Sequence, residues 1–162
     1  MEPVVRPYDP RIDERWAEGF LDSQLGGRHQ ARRGEVVDVL EAGLGLIAGE
    51  GLGLLTYRLD GEELELSALA ASPRGRGTGT VLVNALVDVA RVRRVRRIWV
   101  VTTNDNLDAL AFYQRRGFRL AELRAGAVDE ARRTLKPVIP LIGEHRLELH
   151  DELELAMDVP GR

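Results

Sequence analysis

A glycine-rich run, Arg74-Gly75-Arg76-Gly77-Thr78-Gly79, follows a strand-like apolar stretch at 63–71 and precedes a helix-like one that begins near Val81. The alternating glycines allow a tight turn and leave successive backbone N–H groups free to point into one concavity. The helix that follows adds the amides of its first turn and the positive end of its dipole. This run therefore predicts an anion site, and pyrophosphate is its natural ligand.

The patterns on either side of the loop predict a mixed α/β sheet in one domain that covers 1–162. Glycines and the pair Asp60-Gly61 separate the early apolar segments, which indicates an antiparallel meander. After the loop, strand and helix patterns alternate. Asp13 is expected to cap the first helix, and 28–35 is expected to form a loop. The predicted strands are 4–6, 36–40, 44–48, 52–59, 63–71, 98–101, 118–123 and 153–159, and the predicted helices are 13–25, 77–92, 106–116 and 130–135.

Composition excludes several kinds of site. The 162 residues include no cysteine, so disulfides and a cysteine nucleophile are excluded, and the three histidines are scattered, so we expect no metal. A net charge of −3 gives no bulk attraction to nucleic acid or to an anionic membrane. With no apolar run of membrane length and no leader pattern at the amino terminus, we expect a soluble, cytoplasmic protein.

Two other phosphate-binding motifs fit the loop poorly. A P-loop requires a lysine after the glycine, and here Thr78 and Thr80 stand without one. A dinucleotide fingerprint requires a third glycine where Leu82 stands. The arginines of 91–97 raise the alternative of nucleic-acid binding, but acidity and the lack of a stacking motif oppose it. Arginines at a helix carboxyl end also complement the helix dipole.

The chain resembles the GNAT superfamily of N-acetyltransferases through two motifs in the expected order. The first is Arg-x-x-Gly-x-Gly at 74–79. The second is Asn-x-x-Ala-x-x-x-Tyr at 106–113, followed by Gly117-Phe118. The resemblance implies a sheet of about seven strands with an antiparallel amino-terminal half, splayed central strands and flanking helices. One departure is Pro73, which directly precedes Arg74 while Ala71 takes the site where the family often has proline.

The resemblance also implies acetyl-CoA as cosubstrate and assigns its binding residues. The glycine loop would hold the pyrophosphate, and backbone groups of the preceding strand would pair with the pantetheine arm. The amide of Leu69 would also stabilise the oxyanion that forms when an amine attacks the thioester. The implied cofactor-binding residues are Leu69, Ala71, Arg74, Gly75, Arg76, Gly77, Thr78, Gly79, Thr80, Asn106 and Tyr113.

For catalysis the resemblance assigns Tyr113 as the acid that protonates the departing thiolate. A phenol with an ordinary pKa of about 10 stays protonated at neutral pH and is able to donate. Glu65 is the candidate base, because it precedes Leu69 by four residues and is expected on the same strand face. Glu63 competes with it, and a water relay remains open. Asn106 is also expected to cap its helix.

The acceptor is expected to be a primary amine of a small molecule. The weak net charge argues against a basic peptide partner, although transfer to a protein amine stays open. A module that binds CoA without catalysis is the other alternative, and a homodimer is left open. The long segment at 128–150, which includes Glu130, Arg132, Lys136, His145 and His150, is expected to act as a lid or to contribute to the acceptor pocket.

Overall fold

The computed structural model describes residues 1–161. Two compact units divide the chain: the first comprises 1–28, 38–98 and the residues from 158 on, and the second comprises 29–37 and 99–157. The elements are β1 (Val5–Pro7), α1 (Pro10–Leu25), β2 (His29–Arg32), β3 (Glu35–Asp38), β4 (Gly45–Ala48), β5 (Gly53–Asp60), β6 (Glu63–Ala71), α2 (Thr78–Val92), β7 (Arg97–Thr103), α3 (Leu107–Arg115), β8 (Arg119–Arg124), α4 (Ala127–Thr134), a 3-10 turn (Glu144–Arg146) and β9 (Glu152–Asp158).

The strand order confirms the predicted fold class. Seven strands form one sheet in the order β1-β4-β5-β6-β7-β9-β8, and β2 and β3 form a separate pair. Strands β1, β4, β5 and β6 pair antiparallel in succession, as expected for the amino-terminal half. The splay of the central strands and the single domain over 1–162 stay predictions.

In the first unit, the antiparallel strands carry a helix on each face. Ile47, Leu54 and Ala68 are buried in one cluster with Ala17 and Leu21 of α1. The side chains of Thr78 and Leu82, from α2, lie directly over Gly53. Because successive strand residues point to opposite faces, α1 and α2 cover opposite sides of these strands.

The prediction that Asp13 caps the first helix was wrong. The helix begins at Pro10, and the side chain of Asp9 accepts from the Arg11 amide as the N-cap. Proline suits this first position because its missing N–H would have no partner inside the helix. Asp13 is instead buried, where it accepts two hydrogen bonds of 2.8 Å from the Arg6 guanidinium. The Arg6 contact lowers the pKa of the Asp13 carboxyl.

The prediction of a loop at 28–35 was wrong, because β2 and β3 form a hairpin outside the main sheet. The strand predicted at 36–40 is confirmed at 36–38, but it belongs to this hairpin and not to the meander. Arg33 and Gly34 connect β2 to β3 with left-handed backbones, at φ 52° and 80°. In the second unit, the Arg33 amide donates to a Glu152 carboxylate oxygen at 2.9 Å, and its guanidinium lies 4.4 Å from the Trp99 ring centroid. Polar contacts hold β2 and the turn in place, so no apolar pattern predicts this half of the hairpin.

The remaining predicted elements are confirmed within a few residues. Helix α2 covers 78–92, and α3 starts directly after its cap, Asn106. The predicted helix at 130–135 begins three residues earlier, at Ala127. Strands β8 and β9 pair antiparallel, as neighbours at one end of the strand order.

Candidate active site

The glycine loop presents a helix start that is open to an anion. Gly75 and Gly77 have left-handed backbones, at φ 77° and 80°, and Gly77 is the N-cap of α2. No side chain caps this helix, because glycine carries no group that could accept from the amides of the first turn. Arg74 and Arg76 are exposed in the same loop. The loop therefore offers backbone donors, a helix dipole and two cations to a phosphate group.

Thr78 anchors this helix start to the sheet. It is 4% exposed and packs over Gly53, where an added Cβ would lie 2.7 Å from Thr78 Cγ2. Gly79 and Thr80 complete the first turn. Gly53 was not singled out from the sequence, although a glycine that starts an apolar strand indicates close approach of another element.

The backbone of β6 turns the predicted pantetheine-binding groups away from β5. The Ser72 amide donates to the Leu52 carbonyl oxygen at 2.9 Å, in the same register in which Ala70 pairs with Leu54. N–H and C=O groups alternate between the two edges of a strand. Leu69 and Ala71 therefore direct these groups toward the opposite edge of β6, as the acetyl-CoA assignment requires.

The expectation that Glu65 and Leu69 share a strand face was wrong. The β5–β6 register shifts by one residue between Thr56 and Tyr57, so β6 holds one extra residue, Ser67, in this interval. An extra residue of this kind reverses the alternation of side chains beyond it. Glu65 therefore lies on the face that α1 covers, whereas Leu69 lies on the face of α2.

Glu65 is fully buried and is held by an arginine. Its side chain is 0% exposed, and it accepts a hydrogen bond from Arg58 Nε. Arg58 is 34% exposed, so the pair extends from the protein interior toward solvent. The structure thus adds Arg58 to the candidate site; only its position opposite Glu65 in the hairpin register signals the contact.

Glu63, the competing carboxylate, is bound to two arginines. Its two oxygens lie 2.7 Å from an Arg96 nitrogen and 2.8 Å from an Arg97 nitrogen. Arg91 in turn pairs with Asp88 at 3.0 Å. These contacts give Arg91, Arg96 and Arg97 partners within the fold and weaken the nucleic-acid alternative.

In the second unit, α3 carries the second motif. Asn106 accepts a hydrogen bond of 3.2 Å from the Ala109 amide, which confirms the predicted cap. Tyr113 is 6% exposed and contacts Phe118 edge-to-face, at 5.3 Å between ring centroids. Burial raises the pKa of the Tyr113 phenol, so it stays protonated throughout the neutral range.

Two residues before α3 fasten the long carboxyl-terminal segment. Asn104 accepts from the amides of His150 and Asp151, each at 3.0 Å. Asp105 is 5% exposed and accepts from the Glu144 amide at 2.8 Å. These polar contacts give order to a stretch that has no apolar pattern, and the lid role stays a prediction.

A cavity of about 480 Å³ lies in the first unit, at the carboxyl-terminal half of α2. Pro7, Tyr57, Val89 and Val92 contribute to its lining, and the glycine loop does not. The loop is thus a surface site at the other end of the helix, as expected for a ligand whose phosphates remain near solvent.

The predicted site residues divide between the two units. Glu65, Leu69, Ala71 and the loop at 74–80 belong to the first, and Asn106 and Tyr113 belong to the second. Within residues 1–161, no group of three or more histidine, aspartate or glutamate side chains is arranged to hold a metal ion. None of the helices in the same range combines the length and apolar character needed to cross a bilayer.

Comparison with known proteins establishes the family. The sequence profile of the Acetyltransferase (GNAT) family matches residues 7–118. The chain therefore belongs to the GNAT acetyltransferases, as the resemblance through its two motifs implied.

Three individual proteins illustrate what the chain is similar to. The protein YdhI of Bacillus subtilis, itself uncharacterised, is 40% identical over 106 residues, which cover 65% of this chain and 66% of YdhI. Streptothricin acetyltransferase of Streptomyces lavendulae is 32% identical over 75 residues, or 45% of this chain and 40% of that enzyme. A Bacillus subtilis acetyltransferase solved in complex with CoA shares the fold, with a TM-score of 0.75, 18% identity and coverage of 99% and 100%.

Proposed function

We propose that this protein transfers the acetyl group of acetyl-CoA to a primary amine of a small molecule, by direct attack of the amine on the thioester. The observation that carries the proposal is the uncapped first turn of α2, behind a left-handed Gly77 and beside the exposed Arg74 and Arg76. Pyrophosphate supplies the negative charge that such a helix start lacks. Family membership makes acetyl-CoA the natural source of that group.

The edge of β6 provides the next part of the proposed donor site. Leu69 and Ala71 turn their backbone groups away from β5, which suits an extended arm that binds alongside the strand. A backbone N–H directed at the thioester oxygen stabilises the negative charge that develops there during attack. Such a donor is worth about 3 kcal/mol in comparable acyl-transfer sites.

Tyr113 is the proposed acid. Because burial raises the pKa of its phenol, the proton remains on the oxygen until a base forms beside it. The departing thiolate is such a base: it accepts the proton of a donor held within hydrogen-bond reach and becomes a thiol, whose ordinary pKa is about 8.5. Asn106, whose side-chain oxygen caps α3, is the proposed second contact of this helix with the donor.

Glu65 is the proposed base, acting directly or through a water molecule. Its complete burial favours it over Glu63, whose oxygens are bound by Arg96 and Arg97. The Arg58 guanidinium holds the Glu65 carboxylate in a fixed orientation through its hydrogen bond.

The small size of the acceptor is supported by two observations. The net charge of −3 is too weak to attract a strongly basic peptide. One relative, which matches over 45% of this chain, is named for streptothricin, a small molecule. A protein amine and a CoA-binding module without turnover are the competing outcomes of the experiment below.

The test combines acetyl-CoA binding with turnover on a panel of small amines and on a peptide with a free amino terminus. At about a hundred times its dissociation constant, acetyl-CoA adds about 2.7 kcal/mol to stability, so the melting temperature must rise. Thiol release with a small amine supports the proposal, and release with the peptide alone supports the protein alternative. Binding without thiol release on any acceptor supports the module. No rise in melting temperature refutes acetyl-CoA as ligand.

The base is tested by comparing Glu65→Gln with the matched variant Glu63→Gln. Both substitutions remove one strand carboxylate that an arginine contacts. We expect Glu65→Gln to lower kcat at saturating acetyl-CoA, and Glu63→Gln to leave it within a few-fold of the wild type. The opposite order would transfer the role to Glu63.

A further inference from the structure

We propose that strand β8 is the interface between two copies of this chain, with Leu120 of each copy against Leu123 of the other. Strand β8 is the last in the strand order, with β9 as its neighbour. Its first five residues are exposed, and Leu120 and Leu123 are 56% and 61% exposed. A strand at the end of a sheet also presents backbone N–H and C=O groups that are able to pair with another strand.

Both leucines lie on the same face of the sheet, although they are three residues apart. Leu120 pairs with Leu155 and Leu123 pairs with Leu153, because Ala121 is an extra residue in β8. Leu153 and Leu155 are two residues apart in β9 and therefore share a face. Since Leu155 is fully buried, the two exposed leucines extend an apolar core face to the edge of the sheet.

The sequence of β8 has the symmetry that a two-fold interface requires. Arg119-Leu120-Ala121-Glu122-Leu123-Arg124 reads arginine and leucine inward from both ends. In a two-fold interface, a residue that contacts a second residue of the partner copy is contacted by it in return. Antiparallel pairing centred between the third and fourth residues sets Leu120 of each copy opposite Leu123 of the other. Apolar cross-strand pairs of this kind stabilise a sheet.

The charges of the strand are compatible with this pairing. The same register sets Arg119 opposite Arg124 of the second copy. Arg124 is compensated within its own chain, because its guanidinium lies 3.2 Å from Glu122, 2.8 Å from Glu152 and 3.2 Å from Glu154. Arg119 therefore meets a group that contains three carboxylates, which offsets the repulsion between the arginines.

The partner of the β8 edge is one second copy of the chain rather than an unlimited series of strands. The extra residue and the charges at both ends of β8 limit regular pairing to a short stretch, as natural edge strands do to prevent open-ended association. Because two-fold pairing of β8 with β8 occupies the β8 edge of both copies at once, this interface closes at two copies.

The test measures the mass of the full-length protein by sedimentation and light scattering over a range of concentrations. We expect a dimer that dissociates on dilution. Leu123→Glu should raise the dimer dissociation constant by at least about thirtyfold, the effect of losing a central contact of an interface. Val4→Glu changes a valine of 79% exposure outside β8, and it should leave the dimer intact.

Two double variants test the register. L120E/L123E sets like charges opposite each other across the two-fold axis, and L120E/L123K sets opposite charges there. Both remove the same leucines, so the second must dimerise more tightly than the first if Leu120 faces Leu123 of the other copy. Equal dissociation constants overturn the register.

A wild-type monomer at every concentration overturns the interface, and so does a dimer that Leu123→Glu leaves unchanged. Melting temperatures report whether each variant folds. If the leucine variants do not fold, hydrogen exchange of the wild type decides: protection of the β8 amides must increase with protein concentration. None of these results depends on acetyl-CoA, so failure of this interface is separate from failure of the acetyl-transfer proposal.

Discussion

Replacing Gly53 with alanine tests whether close packing under α2 holds the proposed acetyl-CoA loop in place. The new Cβ would lie 2.7 Å from Thr78 Cγ2, 3.0 Å from Leu82 Cδ1 and 3.2 Å from the Ala70 carbonyl oxygen. Optimal carbon–carbon contacts measure about 3.5–4.0 Å, so the first turn of α2 must move by roughly 1 Å. Because the amides of that turn are the proposed pyrophosphate donors, acetyl-CoA affinity must fall together with stability.

The expected loss of stability is that of an overpacked core. Such substitutions cost about 1–3 kcal/mol. For a chain of this length, each kcal/mol lowers the melting temperature by about 2–4 °C, so Gly53→Ala should melt about 2–12 °C below the wild type. Thermal denaturation measures this change, and titration with acetyl-CoA measures the accompanying loss of affinity.

Two matched variants distinguish the steric contact between the new Cβ and Thr78 from a general loss of stability. Thr78→Ser removes the Cγ2 that Gly53→Ala would strike and keeps the hydroxyl, so the double variant should be more stable than the sum of the single effects by at least about 0.5 kcal/mol. Gly61→Ala places a side chain at φ 61° with nothing within 4 Å of the new Cβ. It should lower stability without changing acetyl-CoA affinity. Strict additivity, or unchanged acetyl-CoA binding in Gly53→Ala, would refute the reasoning.

Three further outcomes follow from the same structure. Tyr113→Phe should lower kcat by about 10²-fold or more with little change in acetyl-CoA affinity, because it removes the proposed acid; unchanged turnover would exclude that role. Asn106→Ala should cost about 1 kcal/mol in thermal denaturation by removing a helix cap, and Asn106→Ser should restore most of it. The pKa of His150 is raised, chiefly by its hydrogen bond to Asp129. The stability from this contact is therefore complete below the unfolded-state pKa of about 6.5 and is lost as the pH rises through the folded-state value. His150→Gln should thus destabilise the protein at acidic pH and have less effect at alkaline pH, as unfolding curves at several pH values would show.

Elements that depend on neighbouring residues were predicted well. Asn106 caps α3 through an amide three residues away, and Gly77 ends one turn and starts α2 at its own φ of 80°. In both cases the groups that interact, and the glycine whose backbone allows the turn, lie within a few residues of each other. A short stretch of sequence is therefore enough to predict the interaction.

Elements that depend on partners far away in the sequence were not predicted. The β2–β3 hairpin relies on Arg33, whose amide donates to Glu152, 119 positions away. A polar side chain carries no sign of which distant group will satisfy it, so composition alone assigned this stretch to a loop. The wrong cap was a local error: Asp13 is the buried partner of Arg6, seven positions earlier, and Asp9 takes the capping role.

By itself, the sequence determined three things about this protein: a glycine loop at a helix start, the cap of the helix that carries the second motif, and membership of the GNAT acetyltransferases. These features depend on short stretches of sequence, in which each hydrogen-bond donor and acceptor lie within a few residues of each other. Only the tertiary structure decided the face on which Glu65 lies. One extra residue between two paired strands reverses every side chain beyond it, and that register is set by pairing along the whole hairpin rather than by any residue within it.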